Sequence, residues 1–204
     1  MDPVRVVVIL LAAGEGRRMG GPKALVRLGE ATLLARCSAL FSSAGVPAIA
    51  VLGAEADRVR AEAGVPGGAM MVVNERWPEG MLTSVWLGLD AAEDLGAEAA
   101  LVHPVDNPLV APDTVAAVVA ALDAGAAIAV PSHAGRRGHP AGFARSVWPD
   151  LRSAPPEGGA RAVLRARADL VVHVLAGPDC LVDLDTPDDL LRLSEELRAG
   201  RDRV

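Results

Sequence analysis

Apolar positions fall along the chain in short runs that alternate with helical repeats. Residues 4–12 form a near-continuous apolar run, the pattern of a strand buried on both faces. After a glycine-rich break, Leu33, Leu34, Cys37, Leu40 and Phe41 recur at helical spacing. Thr32 is placed to cap that helix and Gly45 to close it. Residues 47–52 predict a second strand, 55–63 a more polar helix, and 70–73 a third strand ending at Asn74. A turn over 75–80 leads to a helix over 83–95. A fourth strand over 99–105 ends at Asp106, a helix over 112–121 starts on Pro112, and a fifth strand spans 126–130. This alternation predicts an α/β fold with a mostly parallel sheet covered on both faces.

The rhythm breaks at Pro131. Residues 132–140 read as an aperiodic, glycine- and arginine-rich loop. A short strand over 141–143, a small helix near Asp150 and a helix over 159–167 follow. Strands are predicted over 171–175 and 181–184, then a last helix over 186–199, with 200–204 frayed. No repeat and no linker divides the chain, so residues 1–204 are expected to form a single domain.

Composition narrows the function. Apolar residues make up 51% of 204 residues, enough for a sizeable core. A net charge of -6, no Tyr and only two Phe argue against a nucleic-acid surface, which wants basic charge and stacking aromatics. Cys37 and Cys180 form no disulfide framework or zinc pattern, so a reduced, cytoplasmic protein is expected. The apolar N-terminal run is too short to span a membrane, and Asp2 is out of place in a signal peptide.

The chemistry starts in the stretch from Leu10 to Lys23. Gly14, Gly16, Gly20 and Gly21 stand there among Arg17, Arg18 and Lys23. Glycines let a backbone approach a ligand, and successive N–H groups in such a turn hold anions. The pattern is neither a dinucleotide fingerprint, since Met19 stands where a third glycine belongs, nor a Walker A loop. It predicts a phosphate cradle after strand one.

Asp106 lies at the C-terminal edge of a predicted parallel strand, where ligands of open α/β sheets bind. Opposite a phosphate loop it is placed to hold Mg²⁺. His103, inside the strand, reads as a satisfied, half-buried histidine. In Asp183-Leu-Asp185-Thr186-Pro187, capping explains Thr186 onward, with Asp188 and Asp189 complementing the helix dipole. It does not explain Asp183 and Asp185. Asp185 is the favoured second metal ligand, with Asp183 the alternative. Arg136, Arg137 and His139 sit between glycines in a stretch suited to a second anionic group. Asn74, at a strand end, has the donors and acceptors to read a base or ribose. Trp77 and Trp86 read as packing residues.

Together these segments resemble the MobA-like nucleotidyltransferases, most closely the molybdenum cofactor cytidylyltransferases. The resemblance is carried by Leu11-Ala12-Ala13-Gly14, Arg18-Met19-Gly20 with Lys23, Pro104-Val-Asp106-Asn-Pro108, Gly135-Arg136-Arg137-Gly-His139-Pro140, and Asp183-Leu-Asp185-Thr-Pro187. The segment from Asn74 through Gly80-Met81 to Ser84 is also similar. Three departures stand out: Gly16 where the family often has Ser, Asn107 in place of Gln, and Glu157-Gly-Gly-Ala-Arg161 in place of Gly-Asp-x-Gly-Ala-Arg.

The resemblance implies a three-layer α/β/α sandwich with a Rossmann-like sheet, of the nucleotide-diphospho-sugar transferase type. It implies Mg²⁺-dependent transfer of CMP from CTP to molybdopterin bearing molybdenum, with release of pyrophosphate. Leu11, Ala12, Ala13, Gly14, Arg18, Lys23, Asn74 and Ser84 would bind the nucleotide. Arg18, Lys23 and Asp106 would be catalytic, Asp106 and Asp185 would hold the metal, and Arg136, Arg137 and His139 would receive the acceptor. Ala13 bears on the base, because relatives that use GTP tend to read Leu-Ala-Gly-Gly here. A molybdoenzyme or its chaperone is the implied protein partner. Two other readings stay open: transfer from GTP or another NTP to a sugar phosphate or other small phosphorylated acceptor, and a non-catalytic nucleotide sensor or cofactor chaperone.

Overall fold

The computed structural model describes residues 5–65, 68–155 and 158–201. Val4, Glu157 and residues 202–204, which enter the expectations above, lie outside the described residues. In chain order the elements are β1 (Val6–Ala12), β2 (Arg27–Leu28), β3 (Ala31–Thr32), α1 (Leu33–Ser43), β4 (Ala48–Leu52), α2 (Ala56–Glu62), β5 (Met70–Val73), α3 (Met81–Asp94) and β6 (Ala99–Pro104). Then come α4 (Pro112–Asp123), β7 (Ile128–His133), β8 (Arg136–Arg137), β9 (Ala141–Ala144), α5 (Trp148–Ser153), α6 (Gly159–Ala166), β10 (Val171–Leu175) and α7 (Pro187–Arg201).

Strand β1 is buried along its whole length because it is apolar on both faces. Val7, Ile9 and Leu11 pack into one core with Leu82, Val85 and Leu89 of α3, Trp148 and Leu151 of α5, and Val163 and Leu164 of α6. Val6, Val8, Leu10 and Ala12 pack into the other with Leu34, Cys37 and Phe41 of α1, Val59 of α2, and Val115, Val118 and Leu122 of α4. The period-2 alternation of a strand thus divides the molecule into three layers. Among the described residues the sheet order is β10-β7-β9-β6-β1-β4-β5, with β8 paired to β7. β9 runs antiparallel between β6 and β7, and β1 is parallel to both β4 and β6.

Four expectations are corrected. The strand expected over 126–130 runs from Ile128 to His133, straight through Pro131, and the supposed loop 132–140 is largely a β7–β8 hairpin. Proline lacks a donor, but its carbonyl still pairs, accepting from Gly138 N at 2.8 Å. Residues 181–184 are not a strand. Their apolar positions serve a small third core, where Leu184 meets Leu28, Leu33 and Leu193. Their backbone instead follows the loop after β6: Leu184 N donates to Asp106 O at 2.7 Å, and Asn107 Nδ2 donates to Val182 O at 2.7 Å. The last helix continues through Gly200 to Arg201. The β2–β3 hairpin was not expected.

The predicted caps are present. Thr32 Oγ1 accepts from Ala35 N at 3.1 Å. Asp189 N donates to Thr186 Oγ1 at 3.2 Å while Asp189 Oδ2 accepts from Thr186 N at 2.9 Å, a reciprocal capping pair.

Candidate active site

From β1 the chain goes to β4 on one side, while β6 lies on the other. Between β1 and β6 the strand order reverses, and the C-terminal ends of the two strands frame a crevice. Residues 13–23, following β1, form one wall. Gly16 (φ +63°) and Gly20 (φ +76°) adopt left-handed backbone. A side chain on Gly16 would collide with the carbonyl of Gly21, so the loop closes as tightly as it does only with glycine there. The Gly16 carbonyl accepts from Met19 N at 2.7 Å and Gly21 N at 3.4 Å, curling the backbone around the crevice mouth.

A cavity of about 260 Å³ lies in the crevice. Leu11, Ala12, Ala13 and Gly14 line it on the β1 side, Pro104, Val105 and Asp106 on the β6 side, and Lys23 at its rim. Lys23 is the sole lysine of the chain. Its Nζ donates to Asp106 Oδ2 at 2.6 Å and also to Asp185 Oδ1. Arg18 Nη2 lies 3.5 Å from Asp185 Oδ1. Burial works against the Lys23 charge, but the bonds to Asp106 and Asp185 outweigh it and hold its pKa above the ordinary value.

Two carboxylates that reach one cation between them are a hard-oxygen donor set, and Mg²⁺ takes one or two carboxylates with water and phosphate filling its shell. Asp106 and Asp185 fit that ion. Among the described residues no group of three or more His, Cys, Asp or Glu side chains comes together in this way. Asp183 is directed elsewhere: its Oδ1 accepts from Asn107 Nδ2 at 3.3 Å.

The other expected residues separate. Ser84 lines the cavity. Asn74 is only 4% exposed, and its groups are spent on the protein. Nδ2 donates to Thr83 Oγ1 at 2.8 Å and Ser84 Oγ at 2.9 Å, and Oδ1 accepts from Arg76 N at 3.0 Å. It braces the end of β5 against the start of α3. Arg136 and Arg137 are exposed on β8, with Arg137 Nη1 donating to Leu164 O at 3.2 Å. Neither they nor His139 lines the cavity.

His103 corrects its expectation. It is fully buried, and neither ring nitrogen has a protein partner. Its ring packs edge-on to Phe41 of α1, centroids 5.0 Å apart. Burial, with His139 alongside, pushes its pKa down to about 3.

Trp77 also corrects its expectation. It was expected only to pack, and it lines the cavity. Trp86 does pack, donating Nε1–H to Leu151 O at 2.7 Å. Gly53, which supports Trp77, was not singled out. The one available signal was the aromatic three residues after Asn74.

Comparison with known proteins adds the lineage. Residues 8–171 match the MobA-like NTP transferase domain. The chain belongs to the MobA-like NTP transferase family. A molybdenum cofactor guanylyltransferase of Rhodobacter capsulatus is 34% identical over 202 residues, covering 96% of this chain and 98% of that protein. A 2-C-methyl-D-erythritol 4-phosphate cytidylyltransferase of Cereibacter sphaeroides is 40% identical over 133 residues, 60% of this chain and 57% of that protein. The crystal structure of Rv0371c from Mycobacterium tuberculosis superposes with a TM-score of 0.81 at 29% identity, covering 96% of this chain and all of that one (100%). Among the described residues, no helix is long and apolar enough to cross a membrane.

Proposed function

We propose that this chain transfers CMP from CTP to the terminal phosphate of molybdopterin, releasing pyrophosphate. The observation that carries the transfer reaction is the convergence of Lys23, Asp106 and Asp185 at the rim of the cavity behind the glycine loop. An acceptor phosphate oxygen attacks the α-phosphorus of CTP. That new P–O bond forms as the bond from the α-phosphorus to the β-phosphate oxygen breaks, and pyrophosphate leaves with the electron pair. The acceptor is already an anion near neutral pH, so the chain supplies alignment and charge and needs no general base. Asp106 and Asp185 would hold Mg²⁺, which when bound neutralises phosphate charge. Lys23, released from its carboxylates, stabilises the departing pyrophosphate as a point charge. The backbone of residues 13–21 and Arg18 hold the triphosphate.

Cytosine is favoured by Ala13. Ala13 lines the cavity at the position where GTP-using members of the resembling family tend to carry glycine, and the added methyl is the feature taken to favour the smaller base. Arg136, Arg137 and His139 remain the proposed acceptor side, and a molybdoenzyme or its chaperone the proposed recipient. Cys37 is a buried thiol with its pKa pushed up to about 12, and it takes no part in the proposed chemistry.

The guanylyltransferase relatives favour a second reading, with GTP as donor. Pyrophosphate release measured with each NTP, with Mg²⁺ and with or without molybdenum cofactor, decides between them. CTP turnover that requires the cofactor supports the proposal. Faster turnover of GTP reassigns the base, and acceptor-independent binding with no release under any condition makes the protein a sensor.

A further inference from the structure

Trp77 is the aromatic side chain in the cavity wall, and its placement follows from the sheet order. It sits in a 3₁₀ turn (Trp77–Glu79) directly after β5. Asp106 follows β6, and Lys23 and Asp185 are tied to it. In the order β6-β1-β4-β5 the turn starts from β5, but the Trp77 ring lies over Gly53 at the end of β4 and against Ala13 after β1, so the Lys23 pole and the Trp77 pole are two sides of one cavity. A nucleoside triphosphate with its phosphates at the Lys23 pole has Trp77 on the side left for its base.

The wall at that pole is close-packed around a missing side chain. A Cβ on Gly53 would stand 2.7 Å from Ala13 Cβ and 2.8 Å from Trp77 Cγ. Real Cβ atoms do not make such contacts, so Trp77 can close down against Ala13 only because residue 53 is glycine. The turn carrying Trp77 is pinned by Asn74: its Oδ1 accepts from Arg76 N at 3.0 Å, and its Nδ2 donates to Thr83 Oγ1, whose one proton faces the carbonyls of Gly80 at 2.8 Å and Arg76 at 3.1 Å, at the end and the start of the turn. Asn74 thus bears on the base through Trp77.

We propose that Trp77 is the stacking wall for the nucleobase, and that Gly53 and Asn74 are positioning residues that seat it. The inference rests on the reading that a nucleoside triphosphate occupies the cavity. Stacking on an aromatic ring favours any base over none, because every base has a π-face. Selection between bases is left to Ala13.

The test is calorimetric binding of CTP, GTP and inorganic tripolyphosphate, each with Mg²⁺, to wild type, Trp77→Ala, Trp77→Phe and Gly53→Ala. Trp77→Ala is expected to weaken both nucleotides about tenfold or more, the scale of base–aromatic stacking, and to leave tripolyphosphate unchanged. Trp77→Phe restores most of the nucleotide affinity. Gly53→Ala reproduces the nucleotide loss with Trp77 still present. Tripolyphosphate binding also reports that each variant is folded. Nucleotide binding by Trp77→Ala equal to wild type overturns the inference while the proposed function stands. An equal loss of tripolyphosphate also overturns it, because the role would then be structural. A wild type that binds tripolyphosphate but no nucleotide overturns the proposed function and the inference together.

Discussion

Lys23 Nζ donates to Asp106 Oδ2 at 2.6 Å across 83 positions of sequence. The same ammonium meets Asp185, so one cation organises both acidic ends of the site. Removing the Asp106 charge is expected to lower turnover by roughly two orders of magnitude or more, the scale of losing a key electrostatic element. Asp106→Asn should keep its melting temperature within a few degrees, since the carboxylate is partly exposed at a crevice rim. Steady-state pyrophosphate release and a thermal melt check both halves, and near-wild-type turnover would remove Asp106 from the mechanism.

Lys23 is expected to shape the alkaline limb of stability. Its folded pKa is raised above the ordinary 10.5, so the folded state holds its proton more tightly than the unfolded chain. The stabilisation is complete below about 10.5 and is lost as pH rises through the folded value. The chain has no Tyr and no second lysine, but the thiols of Cys37 and Cys180, also raised in the fold, add to the fall in stability above about pH 9, so the Lys23 share is the difference between wild type and the Lys23 variant. Urea unfolding between pH 9 and 12, a range set by the ordinary lysine and arginine values, should show stability falling in wild type and a flatter profile in Lys23→Met. Lys23→Arg should not restore full turnover, because the bulkier planar guanidinium does not present the compact point charge that the departing pyrophosphate is proposed to meet.

His103 should act on the acid side. It is neutral in the fold, with a pKa of about 3, and ordinary in the unfolded chain. As pH falls below about 6.5 the unfolded state gains a proton that the folded state refuses. Stability then drops by about 1.4 kcal/mol per pH unit for that proton, until the folded group titrates. His139, also held below its ordinary value by burial, adds to the slope. His103→Phe, against Phe41, should make the slope shallower between pH 6.5 and 5, the window above most carboxylate titrations. Denaturant midpoints across that window measure it, and an unchanged slope would reject the buried neutral histidine as its source.

Gly16→Ala should damage the phosphate loop specifically. The substitution forces a left-handed alanine, costing about 1–2 kcal/mol, and drives a methyl into the Gly21 carbonyl. Lower stability together with a raised KM for the nucleotide is the expected pair of results. Gly45→Ala is the control: it also forces a left-handed alanine, but at the end of α1, where a Cβ meets nothing within 4 Å, so stability should fall with KM unchanged.

Much of this architecture was legible in local pattern. The apolar run of β1, the capped starts of α1 and α7, and the strand–helix alternation as far as β6 follow from burial periodicity and capping, which are properties of neighbouring residues. The glycine and basic residues after β1 and the acidic residues after β6 were legible as chemistry for the same reason.

Long-range pairing was not legible. Pro131 reads as a breaker in sequence, yet it lies inside β7, because strand partners from β8 and β10 hold the backbone extended around a missing donor. Residues 182–185 alternate like a strand, yet they pair with the Asp106 loop, and that contact brings Asp185 to Lys23 across 162 positions. Trp77 looks like a core residue until Gly53, from the neighbouring strand's end, leaves it room at the cavity wall. By itself the sequence determined the elements and the kinds of groups at their ends, because helix and strand periods are written within a few residues. Only the tertiary structure decided which of those groups meet, because a sheet's order is set by burial and hydrogen bonding between segments far apart in the chain.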